Sequence, residues 1–117
     1  MKLQSKVRVG PMVFEVVEIE RLLDSGIDRA LWGNVCMGEG MVQVEANNSL
    51  QQRVLTLVHE IFHIILHQAG HKEMAENEGF VEAISYGIAQ VILDNPWIVD
   101  LLRYGLEDAK AEGDGDG

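Results

Sequence analysis

Cysteine, proline and basic side chains are all scarce in this chain. A single cysteine, Cys36, among 117 residues excludes an intrachain disulfide framework and fits a reducing compartment. Nine Lys and Arg stand against nineteen Asp and Glu, a net charge of -10. Such a surface repels phosphate backbones, and no basic cluster offsets it, so nucleic acid is not an expected partner. No apolar run approaches the roughly 18 residues of a membrane span. The opening MKLQSKVRVG lacks a signal-type hydrophobic segment, and the expected location is cytoplasmic. With two prolines and no internal repeat, one domain is expected over residues 1–106. The last stretch, LEDAKAEGDGDG, concentrates acids and glycines, and residues 107–117 read as a solvated, disordered tail.

The strand signals come first. KVRV and MVFEVVEIE flank Gly10-Pro11 and carry β-branched residues in partial alternation, the pattern of a hairpin. A second hairpin is expected in LWGNVCMGEGMVQVEA, turning at Gly38-Glu39-Gly40 with Val42 and Val44 on one face. Ser49, followed three residues later by Gln52, is a capping-box pattern that opens a long helix, and Gly70 is its natural stop. EGFVEAISYGIAQVILDN reads as a second helix ended by Pro96, and WIVDLLRYG as a short third one closed by Gly105. Strands followed by helices predict an α+β fold, with a small antiparallel or mixed sheet ahead of two principal helices.

All four histidines lie in TLVHEIFHIILHQAGH, spaced by four: His59, His63, His67 and His71. At about 100° per residue, Thr56, His59, Glu60, His63 and His67 form one narrow polar stripe on an otherwise apolar helix. A solvent-facing stripe would carry Lys, Arg or several Glu. Between Thr56 and Gln68 the only charged residue is Glu60. Histidines at i and i+4 project one turn apart, close enough for both imidazoles to reach one zinc ion. The glutamate beside the first is offset from the metal and free to act as a base. His59 and His63 are therefore the expected ligands and Glu60 the expected catalytic base.

A catalytic zinc takes a third protein ligand and keeps one position open. The metzincin continuation fails, because Leu66 stands at its glycine and Ala69 at its third histidine. An endoribonuclease arrangement with histidines at 0, +4 and +10 fails at Ala69 too. The second helix offers two glutamates. Glu82 falls in an apolar arc, where a carboxylate is costly unless paired or metal-bound. Glu78 has a similar bearing but sits at the helix start, where the helix dipole already explains an acid. Glu82 is the favoured third ligand and Glu78 the alternate. His67 continues the stripe as a supporting polar group, and Tyr86, four residues after Glu82, is a candidate donor to a developing oxyanion.

LTLVHEIFHIILH followed by EGFVEAISYGIAQVILDNP resembles the ImmA/IrrE-type minimal zincins, including small phage-encoded and bacterial members. The shared pattern is Thr56, the H-E-x-x-H of His59, Glu60 and His63, then His67, Glu82-Ala83 and Pro96. Ile84 stands where the family has asparagine, and Tyr86 where it has phenylalanine. The resemblance implies a zincin-like domain with Glu82 as third zinc ligand. It also implies a gluzincin-like metallopeptidase acting on a protein or peptide, a regulatory protein among the expected substrates. An edge strand would lie beside the active helix, and MVQVEA is its expected counterpart. The alternative is a zinc-binding protein of the same fold acting by contact, as a non-catalytic regulator or assembly partner.

Overall fold

The computed structural model describes residues 3–24, 29–30 and 32–116. The chain divides into two compact units, Met1–Tyr86 and Gly87–Gly117. This boundary falls inside a helix, Glu78–Asp94. No helix among the described residues is long and apolar enough to cross a membrane.

The first unit is α+β. Strands β1 (Lys6–Val9) and β2 (Met12–Ile19) form the first expected hairpin, antiparallel, with Val9 opposite Met12. Gly10 in the turn has φ of 58°, a left-handed conformation that glycine adopts at no steric cost. Short strands β3 (Leu23–Asp24) and β4 (Arg29–Ala30) pair with each other as a separate ribbon. Then β5 (Gly33–Cys36) and β6 (Met41–Glu45) make the second hairpin through a 3-10 turn at Met37–Glu39 and a left-handed Gly40. The main sheet has the order β1-β2-β6-β5 and is mixed, because β2 and β6 run parallel, Glu15 opposite Met41 through Ile19 opposite Glu45. MVQVEA is thus an interior strand. Its expected place at the sheet edge belongs to β5, because the parallel pairing with β2 covers the far side of β6.

Alternation decides which face is buried. Val42 and Val44 on β6 point inward with Val9 and Phe14, and Ile64 of helix α1 (Leu50–Gln68) meets them. Val42, Val44, Phe14 and Ile64 are fully buried. Burying side chains of this size contributes on the order of 1.5–3 kcal/mol each. Helix α1 starts as expected, the Ser49 side chain accepting from the Gln52 N–H at 3.1 Å. It ends at Ala69, and Gly70 follows in the left-handed region. At its far end the Gln68 side chain donates to the Val9 carbonyl at 2.8 Å, tying the helix to the first hairpin.

A buried carboxylate fixes the crossing out of β2. Glu45 accepts from the backbone N–H groups of Leu22 at 2.8 Å, Asn47 at 3.0 Å and Arg21 at 3.2 Å. The bonds from Asn47 and Leu22 hold its carboxyl below the usual range, because they favour the charged form. Arg21 takes a φ of 58°, unusual for a non-glycine residue.

After Gly70 come the one-turn helix α2 (Lys72–Ala75) and helix α3 (Glu78–Asp94). Asn77 caps α3, its side chain accepting from the Phe80 N–H at 3.0 Å. The second unit holds the end of α3 and helix α4 (Trp97–Asp116). Here α4 runs on through Gly105, where a stop was expected, and through most of the expected disordered tail. The run EDAKAE after Leu106 consists mostly of good helix formers, and one interior glycine costs only about 1 kcal/mol. Gly117, the last residue of that tail, lies outside the described residues.

Candidate metal centre

The polar stripe of α1 is enclosed from Thr56 to His63. Thr56, Glu60 and His63 are buried although all are polar, and His59 is half-buried. The sheet does this through β5. A Cβ at Gly33 would sit 2.4 Å from Thr56 Cγ2 and 3.2 Å from Glu60 Oε1, so only glycine lets the strand and helix approach this closely. Gln52, one turn before, donates to Thr56 Oγ1 at 3.2 Å.

At the other edge of the stripe the two imidazoles converge. His59 Nε2 and His63 Nε2 lie 3.1 Å apart, with ring centroids at 4.8 Å and a near edge-on tilt of 66°. His63 Nδ1 donates to the Ala75 carbonyl, supplied by the end of α2. That bond puts the proton of a neutral ring on Nδ1 and leaves Nε2 an acceptor, the second-layer arrangement that orients metal-binding histidines.

The carboxylate at this pair belongs to Glu78. Its Oε2 is 3.0 Å from His59 Nε2 and its Oε1 is 2.9 Å from His63 Nε2. Glu82, the favoured candidate from sequence, is exposed, and its carboxylate makes none of the described hydrogen bonds or ion pairs. Of the two glutamates, Glu78 rather than Glu82 is the one that meets the histidines in this structure. The reason is the bearing of α3. Its buried face is Val81 and Ser85, and Glu78 falls on that stripe at i−3 from Val81 and i−7 from Ser85. Residues of α3 are apolar on several sides, so hydropathy alone gave Glu82 a core position that it does not occupy. The Asn77 cap sets Glu78 in the first turn, where an acid complements the helix dipole.

His59, Glu60 and His63 offer ligand atoms that all lie within 4.8 Å of one another. Burial first, and the Glu78 carboxylate second, push the Glu60 carboxyl up from 4.5 to about 8. Tyr86 is half-buried, its ring centroid 6.5 Å from that of His59. It neighbours the site as a packed ring. His67 and His71 are exposed and stand apart from the cluster, His71 having left α1 to precede α2.

The donor set fits a zinc ion. Ligand atoms about 2.0–2.1 Å from one tetrahedral ion lie about 3.3 Å from each other. The two imidazole nitrogens, 3.1 Å apart, fall slightly inside that value, and Glu78 meets them through different oxygens, Oε2 3.0 Å from His59 and Oε1 2.9 Å from His63. Two imidazole nitrogens and a carboxylate facing each other at these distances need positive charge between them, from ring protons or from a metal ion. Comparisons with known protein families, with characterised proteins and with solved structures found no significant match.

Proposed function

We propose that this chain is a zinc-dependent metallopeptidase of minimal zincin-like design, hydrolysing a peptide bond in a protein substrate. The observation that carries the reading is the convergence of His59 Nε2, His63 Nε2 and the Glu78 carboxylate, with buried Glu60 beside the first histidine. His59, His63 and Glu78 would hold the ion. Zinc, when bound, supplies Lewis acidity, polarising a carbonyl and acidifying water towards a pKa of about 7. A cation bound beside it would favour the ionised form of Glu60, and that carboxylate would take the proton from the attacking water and return it to the leaving amine. Its burial excludes competing solvent, and Gly33 keeps the carboxylate hard against the strand backbone. His63 is held in one tautomer by Ala75, so its Nε2 stays available. A substrate strand would add along β5, the sheet edge nearest Glu60.

Zinc content by elemental analysis tests this in wild type, Glu78→Ala, Glu82→Ala and Glu60→Gln. We expect about one zinc per chain, lost in Glu78→Ala and retained in the other two. Loss in Glu82→Ala with retention in Glu78→Ala would transfer the third ligand to Glu82. A metal-free wild type in zinc-containing buffer would end the reading. The second reading, a zinc-binding regulator without catalysis, draws on the near-complete enclosure of Glu60, 8% exposed. A biological activity that survives Glu60→Gln would favour it.

A further inference from the structure

Glu82 has no explanation within its own helix. It stands in the second turn of α3, past the first turn where the helix dipole favours an acid. Four residues before it comes Glu78, and like charges one turn apart destabilise a helix. Its other neighbours at three and four residues are Gly79, Ser85 and Tyr86, and α3 carries no lysine or arginine from Glu78 to Asp94. Between His59 and Tyr86 five glutamates stand against a single lysine, Lys72, which lies 4.0 Å from Glu76.

Its place on α3 ties it to the metal centre. At about 100° per residue, Glu78, Glu82 and Tyr86 follow one another around the helix in steps of about 40°. The first and the last both reach His59. Glu78 Oε2 is 3.0 Å from its Nε2, and the Tyr86 and His59 ring centroids are 6.5 Å apart. Glu82 therefore lies between two residues that meet the histidine pair, while its own side chain stays exposed. Helical side chains lean towards the N-terminus, so the Tyr86 ring leans over the turn that carries Glu82.

We infer that Glu82 and Tyr86 form a subsite for an arginine or lysine side chain of the substrate, beside the metal centre. Resting on the metallopeptidase reading, this subsite selects peptides with a basic residue next to the scissile bond. A carboxylate and an aromatic ring at i and i+4 complement a long cationic side chain. The ring takes the stem or the guanidinium plane, and the carboxylate takes the head group. Tyr86 is half-buried, held against His59 and still accessible. Charge balance agrees. The Glu78 and Glu60 carboxylates would together match the two positive charges of a zinc ion, which leaves Glu82 without a counter-charge at the site. An acidic substrate residue would be repelled at the same place.

Calorimetric titration of the zinc-loaded full chain with amino-acid hydroxamates tests the subsite. The hydroxamate group chelates a zinc ion that has an open position, and the side chain samples the flank. Arginine hydroxamate should bind about tenfold tighter than norleucine hydroxamate, and glutamate hydroxamate more weakly than either. Glu82→Gln should erase the arginine advantage and leave zinc content and norleucine hydroxamate affinity at wild-type levels. Equal binding of all three by wild type overturns the inference and leaves the metal centre standing. An arginine advantage that survives Glu82→Gln, or zinc lost in that variant, overturns it too. Binding of none would remove the open zinc position, and the metallopeptidase reading would fall together with the subsite.

Discussion

Helices α1 and α4 are close in length, 19 and 20 residues, and α1 throughout and α4 as far as Leu106 are apolar around more than half of the helix circumference. Their surroundings differ. In the first unit a sheet lies under α1, and Ile64, Leu57 and Ile61 pack into one cluster with Phe14 and Val44. Around α4, Trp97, Leu101 and Leu106 stay more than half exposed. A helix rich in apolar residues declares that it needs a partner and leaves open which one. Where the chain supplies the partner, burial also carries polar residues inside. Thr56, Glu60 and His63 are enclosed because the apolar residues around them are. The site is in that sense a by-product of packing on a mostly apolar helix, with chemistry concentrated in the stripe that could not be apolar.

The largest expected effect bearing on this contrast is in the core. Phe14→Ala should remove about 3–5 kcal/mol of stability by urea titration, a large share of the roughly 5–15 kcal/mol typical of a domain. Leu101→Ala, measured at high dilution, should stay within about 0.5 kcal/mol. Equal losses would mean that α4 is covered within the chain and the contrast is false.

Next comes a pH effect confined to α1. Folding raises the Glu60 pKa from 4.5 to about 8. Between those values the metal-free folded chain keeps a proton that the unfolded chain has released. Its contribution to stability is full below about 4.5 and is lost as pH rises through about 8, with a slope of up to about 1.4 kcal/mol per pH unit. Glu60→Gln should flatten the profile in the presence of a chelator, and a wild-type profile already flat from pH 5 to 8 would mean that the carboxylate is hydrated.

The smallest effects come from two glycines, with opposite signs. Gly33→Ala drives a methyl into Thr56 and should cost about 1–3 kcal/mol. Gly105→Ala meets open space and should gain up to about 1 kcal/mol of helix stability. Thermal melts of the two variants side by side would show whether the signs differ.

Local features of the fold were legible in the sequence. Both hairpins, the Ser49 cap, the Gly70 stop and the inward pair Val42 and Val44 follow from turn chemistry, capping and alternation, which act over a few residues. The parallel pairing of β2 with β6 was not legible, since it joins strands separated by the whole of β3, β4 and β5 and depends on the Glu45 crossing. That Glu78 and not Glu82 meets the histidines was not legible, because α3 offers more than one apolar arc and only packing selects the one with Val81 and Ser85. The continuation of α4 past Gly105 was misread for another reason, a local breaker having been weighted above the helix formers after it.

His59 and Glu78 are 19 residues apart, and everything that joins them is a run of turns: the end of α1, left-handed Gly70, α2 and the Asn77 cap. Most side chains in this connector are exposed, Ala75 excepted, so composition there is nearly free. Its length is not. One residue added between Gly70 and Asn77 would either slide Ala75 away from His63 or turn the start of α3 by about 100°, swinging Glu78 off the histidines. The segment acts as a phase spacer, indifferent to most substitutions and intolerant of a change in count.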